Sequence, residues 1–170
     1  MFKNKVLLIT GGTGSFGKAV LNRFIDTDFE EIRIFSRDEK KQEEMRGAFK
    51  NDRVKYFIGD VRDTDAVTRA VQGIDYVFHA AGAVSAAGVT NASNPLSPIT
   101  ENLVLTSRVL QAAWSQNIQR ILLFSSSTGY PEFSRPVKED DFWNGETHPS
   151  YFGYGWMRRY LERIAEFAHH

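Results

Sequence analysis

Gly11, Gly14 and Gly17 stand three residues apart in the run Thr10-Gly11-Gly12-Thr13-Gly14-Ser15-Phe16-Gly17. The chemistry this spacing suits is phosphate binding. The first glycine permits a tight turn, the second lets backbone approach a pyrophosphate, and the third lets a helix pack closely on a strand. Backbone amides at the start of that helix then hold the anion. Gly11, Thr13, Gly14, Ser15, Phe16 and Gly17 are therefore expected to cradle the pyrophosphate of a dinucleotide. The bland alternative is that the glycines serve only a tight turn. A second grouping lies far along the chain. Tyr154 and Arg158 are four residues apart, which puts a phenol and a cation on one helix face. Ser125-Ser126-Ser127 follows an apolar run and lacks the Gly-x-Ser-x-Gly pattern of a hydrolase elbow. Four scattered histidines show no metal-ligand spacing, so no metal site is expected.

The elements that must position these groups alternate in type. Val6-Leu7-Leu8-Ile9 reads as a strand buried on both faces, and Ala19, Val20, Leu21, Phe24 and Ile25 follow at helical spacing. Ile32-Arg33-Ile34-Phe35 is a second strand, and Asp38 caps a helix running to about Phe49. Val54-Lys55-Tyr56-Phe57-Ile58 is a third strand. Asp63 then caps a helix with Ala66, Val67, Ala70 and Val71 on one face, and Tyr76-Val77-Phe78 is a fourth strand. Residues 82–98 read as loop, and residues 99–116 as a long helix with Leu103, Leu110, Ala113 and Trp114 on one stripe. Ile121-Leu122-Leu123-Phe124 is a fifth strand. Residues 128–150 look irregular, and a last helix is expected over residues 154–168. Alternation of this kind predicts an α/β fold, a Rossmann-type doubly wound parallel sheet in the order 3-2-1-4-5, with residues 1–170 as one dinucleotide-binding domain.

The second strand ends Phe35-Ser36-Arg37, where an NAD-binding protein usually places Asp or Glu on the ribose hydroxyls. A carboxylate would repel a 2′-phosphate, whereas a guanidinium binds it bidentately. Ser36 and Arg37, with Lys40 and Lys41 nearby, favour NADP, with NAD as the alternative. As a helix cap, Asp38 is expected to aim its carboxylate at amides. Arg37 as a plain surface residue is the competing reading.

Composition excludes several classes. The chain has 170 residues, 42% hydrophobic and 25% charged, which suits a globular protein rather than a disordered one. A formal net charge of zero gives no electrostatic reason to expect nucleic acid or an anionic membrane as partner. With no cysteine, disulfides, thiolate metal sites and cysteine nucleophiles are excluded, and a cytoplasmic location is expected. No apolar run is long enough to span a bilayer, and the first residues do not form a signal peptide. His169-His170 is given no function.

With Thr10, the G-x-x-G-x-x-G spacing resembles that of the extended short-chain dehydrogenase/reductases, of the NAD-dependent epimerase/dehydratase type. Other landmarks follow in the same order. Gly59-Asp60-Val61 resembles the family's adenine-contacting strand end, His79-Ala80-Ala81-Gly82 its loop after the fourth strand, and Asn102 its helix asparagine. The first half, notably Phe35-Ser36-Arg37-Asp38-Glu39, is similar to inverting UDP-N-acetylglucosamine 4,6-dehydratases. Ser126-Ser127-Thr128-Gly129-Tyr130-Pro131 instead resembles GDP-fucose synthases and related epimerases, without the dehydratases' Thr-Asp-Lys.

The resemblance implies a nucleotide-sugar epimerase, dehydratase or reductase serving surface-polysaccharide sugar synthesis. It also implies roles. Asp60, Val61, Ala80, Ala81, Gly82 and Asn102 join the cofactor site. Tyr154 removes a sugar hydroxyl proton, a cation stabilises the phenolate, and Ser126 holds the sugar oxygen. Ser127 is the near alternative to Ser126, and Tyr151 the rival to Tyr154. Arg158 stands where the family's Tyr-x-x-x-Lys has lysine, a departure that changes the donor geometry. Family members run longer and carry a substrate domain after this region. A partner or a homo-oligomer supplying that region is therefore expected. A non-catalytic NADP-binding module is the alternative function.

Overall fold

The computed structural model describes residues 1–83 and 94–169. Part of the loop at 82–98, and His170, thus lie outside the described residues. Five strands form one parallel sheet: β1 (Val6–Thr10), β2 (Glu31–Ser36), β3 (Val54–Ile58), β4 (Tyr76–His79) and β5 (Arg120–Leu123), in the order β3-β2-β1-β4-β5. Helices α1 (Ser15–Phe24), α2 (Glu39–Phe49), α3 (Thr64–Val71), α4 (Ser97–Ser115) and α5 (Phe152–His169) complete the regular structure. The order is the expected one. β1 is central because its residues are apolar toward both faces.

The chain divides into two compact units. The first holds residues 1–81 and 108–123, the second residues 82–107 and 124–170. In the first unit, alternation along β1 sends Leu7 and Ile9 to one face and Leu8 to the other. Leu7 and Ile9 join Ile32 and Ile34 of β2, Val20 and Leu21 of α1 and Met45 of α2. Leu8 joins Phe35, Val67 and Val71 of α3, Val77 and Val109. Full burial of such a side chain contributes roughly 1.5–3 kcal/mol, so these two layers hold the sheet covered. Asp38 and Asp63 cap α2 and α3 as read from sequence, accepting from Lys41 N–H and from Asp65 and Ala66 N–H. In the second unit, Tyr154, Met157 and Leu161 of α5 bury against Ile99 and Leu103.

Three local details differ from the expectation. Helix α4 starts at Ser97 rather than 99, because Pro98 fits a first helical turn whose N–H needs no partner. Trp114 does not share the buried stripe; it is 67% exposed. Strand β5 ends at Leu123, leaving Phe124 outside it. The irregular stretch contains short 3-10 turns at Ser127–Gly129, Glu139–Trp143 and Pro149–Tyr151, and α5 begins at Phe152, so Tyr154 lies inside its first turn.

Candidate active site

The glycine loop is shaped by backbone contact. Gly11 has φ +65°, the left-handed region that a side chain rarely adopts, and a Cβ there would lie 2.8 Å from Ala81 N. A Cβ on Gly17 would lie 2.5 Å from Gly12 Cα, so α1 can rest on the turn only with glycine there. Gly14 is the N-cap of α1, offers no side-chain cap, and no acidic residue occupies the first turn. The helix end therefore presents amides without a competing internal carboxylate, in the exposed stretch Gly14-Ser15-Phe16. That arrangement fits the pyrophosphate of a dinucleotide. Thr13 is buried, and its hydroxyl lies 2.6 Å from Ser36 Oγ, which ties the loop to the end of β2.

The ends of β2 and β3 carry the charged groups. Ser36 Oγ accepts from Asp38 N–H at 3.2 Å. Arg37 is well exposed, and its Nη1 lies 3.4 Å from Asp60 Oδ2. Arg62 binds the same carboxylate more closely, with Nη2 at 2.7 Å from Oδ2. Hydrogen bonding to Arg62 draws the Asp60 carboxyl down to about 2, against the partial desolvation of the site. Asp38 is turned to Lys41, whose Nζ stands 3.0 Å from its Oδ2. Val61 is half-buried against the α3 side of the core.

At the end of β4, Thr10 Oγ1 accepts from Ala81 N–H at 3.3 Å and lies within hydrogen-bond distance of His79 Nδ1 at 2.6 Å. His79 is buried, and this pair sets the path of Ala80 and Ala81 beside Gly11. In the second unit, Gly82 is exposed and Asn102 is buried. Asn102 Oδ1 accepts from Ala83 N–H at 3.1 Å, and its Nδ2 donates to Ala83 O at 2.9 Å and Pro98 O at 2.6 Å. The amide group is thus committed to backbone.

The second unit also holds the serine and tyrosine. Arg158 Nη2 donates to Tyr154 Oη at 2.6 Å and Nη1 to Phe124 O at 3.3 Å, with the guanidinium carbon 5.0 Å from the Tyr154 ring centre. The expected one-turn spacing does bring this pair together. Tyr154 is only 7% exposed. Ser126 caps the Ser127–Gly129 turn: its Oγ accepts from Thr128 N–H at 3.3 Å and from Thr128 Oγ1 at 2.9 Å. Its own proton is left to donate outward. The turn lies so close to α5 that a Cβ on Gly155 would come 2.3 Å from Thr128 O, an approach that requires glycine there. A cavity of about 510 Å³ is bordered by Ser126, Ser127, Tyr130, Glu139, Trp143 and Glu162, but Tyr154 and Arg158 are not among its walls.

Several residues that shape the site escaped the sequence reading. Buried Gln42 donates through Nε2 to Ser36 O at 3.0 Å and Phe57 O at 2.8 Å, joining the two strand ends. Arg135 grips Asp141 through two bonds of 2.7 and 2.8 Å and holds that carboxyl well below the usual range. Arg159 is buried beside the serine turn. Only the Tyr-x-x-x-Arg spacing leaves a local signal; the others are partners across sequence.

Comparison with known proteins adds to this geometry. A family described as Polysaccharide biosynthesis protein matches residues 7–129. The UDP-glucose 4-epimerase of Rickettsia canadensis (strain McKiel) is 47% identical over 136 residues, covering 77% of this chain and 39% of the relative. That of Rickettsia bellii (strain RML369-C) is 46% identical over the same length. The chain therefore spans 39% of the length of these curated relatives. Among solved structures, Pen from Bacillus thuringiensis superposes with TM-score 0.79 at 30% identity, over 99% of this chain and 47% of that one. The UDP-glucose 4-epimerase of Bifidobacterium longum, solved with NAD+ and UDP, gives 0.77 at 26%, over 97% of this chain and 49% of that one. With the glycine loop inside the matched span and the expected strand order, the chain belongs to the polysaccharide biosynthesis protein family, within the extended short-chain dehydrogenase/reductases of the epimerase/dehydratase type.

Proposed function

We propose that this chain binds NADP and supplies the reacting groups of a nucleotide-sugar epimerase or dehydratase. The observation that carries the reading is the 2.6 Å bond from Arg158 to the Tyr154 hydroxyl, one helical turn apart. When bound, the nicotinamide supplies a hydride acceptor and donor. Tyr154 takes the proton from the sugar hydroxyl onto Oη. Before that transfer Tyr154 is the phenolate, and Arg158 holds its negative oxygen with a fixed positive charge. Ser126, whose Oγ already accepts twice from Thr128, donates its proton to the sugar oxygen. Gly11, Thr13, Gly14, Ser15, Phe16 and Gly17 bind the pyrophosphate, and Ala80, Ala81 and Gly82 border the cofactor. Asp60 and Val61 face the adenine end. Asn102 acts on the cofactor by fixing the backbone of Ala83.

NADP is favoured over NAD because Arg37 is exposed and Asp38 is turned to its helix. The contact with Asp60 is long enough for Arg37 to exchange it for a 2′-phosphate. Sugar contacts beyond Ser126 and Tyr154 are placed in polypeptide equivalent to the unmatched part of the relatives, on the same chain, a second copy or a partner. No helix among the described residues is long and apolar enough to cross a membrane, and the cysteine-free sequence suits the cytoplasm.

The test is incubation with NADP or NAD and a panel of nucleotide sugars, followed by absorbance of the reduced cofactor and by sugar analysis. Turnover that survives Arg158→Lys supports the assignment. One observation favours a non-catalytic binding module instead: Tyr154 is nearly covered, and the cavity beside Ser126 is not lined by it. Cofactor binding without turnover, even with the remaining region supplied, would select that reading.

A further inference from the structure

Helix α5 carries two adjacent arginines with unlike surroundings. Arg158 faces Tyr154, whereas Arg159 is 2% exposed. Arg159 Nε donates to Gly129 O at 2.8 Å, and Nη1 donates to Gly145 O at 2.7 Å. The Trp156 and Phe142 ring centres lie 4.9 and 5.7 Å from its guanidinium carbon. Trp156 is held in turn by Glu146, whose Oε2 accepts from Nε1 at 3.1 Å. Burial pushes the Arg159 pKa down, while Glu146 opposes the shift. Arg159 Nη2 has no hydrogen-bond partner among the described residues.

For stability alone this is a poor choice of residue. Taking a guanidinium out of water is costly, and well-packed apolar side chains often replace buried ions without loss. What the cation does hold is specific. Gly129 closes the turn that begins after Ser126: its N–H donates to Ser126 O at 3.1 Å, and Tyr130 N–H donates to Ser127 O at 3.1 Å. The turn is steadied at a second point, where the Thr128 carbonyl rests against Gly155. Both contacts come from the first two turns of α5, the stretch that also carries Tyr154 and Arg158.

We propose that Arg159 is a positioning residue, which latches the Ser127–Gly129 turn to α5 and so fixes the place of the Ser126 hydroxyl relative to the helix that carries Tyr154. This rests on the reading of Ser126 and Tyr154 as the reacting pair. Two peptide carbonyls, one on the serine turn and one at Gly145, are gathered by one planar fork. A lysine at this position offers a single nitrogen in place of two, so it cannot keep both bonds in their present geometry.

The test uses the full chain with Arg159→Met and Arg159→Lys, read first by hydrogen exchange at single amides. In Arg159→Met the Gly129 and Tyr130 amides should exchange at least about tenfold faster while β1 and β2 amides keep their rates. Arg159→Lys should fall between. In an active preparation, kcat should drop roughly 10- to 100-fold in Arg159→Met with KM for the sugar nearly constant, and lysine should recover part of it. Should the methionine variant fail to fold, the lysine variant carries the same comparison. Unchanged exchange at Gly129 and Tyr130 overturns the proposal, and so does full kcat with a loosened turn. Failure of the enzyme reading shows separately, as absence of turnover in the unaltered protein, while the exchange result still decides whether Arg159 holds the turn.

Discussion

The glycine loop and the serine–tyrosine region are built by opposite means. Around the loop, backbone meets backbone: Gly11 against Ala81, Gly17 against Gly12, and a helix start at Gly14 with no side-chain cap. Around Ser126 and Tyr154, side chains carry the geometry: Arg158 on Tyr154, Thr128 on Ser126, Arg159 on Gly129 and Gly145. A backbone-built site tolerates change in its neighbours but not in its glycines. A side-chain-built site depends on single charges and on the length of each arm.

The comparison can be broken at several places. The largest effect is expected at Tyr154. Tyr154→Phe keeps the ring against Met157 and Leu161 but removes the hydroxyl, and should cut turnover by about 10²–10⁴ while cofactor affinity holds. Full turnover in that variant would end the catalytic assignment. Next comes Gly17→Ala, whose methyl would lie 2.5 Å from Gly12 Cα. It should cost about 2–3 kcal/mol by overpacking, seen as a lower urea midpoint, and should weaken NADP and NAD alike. An unchanged midpoint would show that the loop is less backbone-determined than described.

Arg37→Ala follows, with a loss of about 1.5–3 kcal/mol in NADP binding and almost none in NAD binding, measured by calorimetry. Equal losses for both, or tighter NAD binding by the unaltered protein, would overturn the NADP preference. The smallest effect concerns Asp60. Its folded pKa is depressed from 3.8 to about 2, so its pairing supports the folded state above about pH 4, and that support is lost as pH falls through about 2. Arg62→Ala should raise the Asp60 carboxyl toward 3.8, as followed by NMR titration. No upward shift would mean that the Arg62 side chain is not the main cause.

How much could be read in advance follows the same division. The caps at Asp38 and Asp63 were legible because each rests on neighbours a few residues apart, and the sheet order because alternating strands and helices with right-handed crossovers admit few topologies. So was the meeting of Tyr154 with Arg158, which needs only one helical turn. Gln42 reads as an ordinary polar helix residue, yet it is buried and bonded to Phe57, fifteen positions on. Arg159 reads as half of a charged pair, yet its carbonyl partner is thirty positions away. Neither distance leaves a periodic trace. Trp114 misled for the converse reason: its spacing suits a buried stripe, but it lies exposed.

The central place of β1 also bears on how the chain comes together during synthesis. β1 pairs with β2 through Leu8 and Arg33, but its other edge waits for Val77 of β4. Until the ribosome has released β4, that edge offers unpaired amides and carbonyls flanked by Leu7, Leu8 and Ile9, a template for mispairing with another nascent chain. The late partner brings its own selectivity. Asp75, just ahead of β4, accepts from Lys5 Nζ at 2.8 Å and Val6 N–H at 2.9 Å. That carboxylate sets the register of the last strand to reach β1, so the stability lost in Asp75→Asn should show as slower folding rather than faster unfolding, read from the two arms of a denaturant chevron.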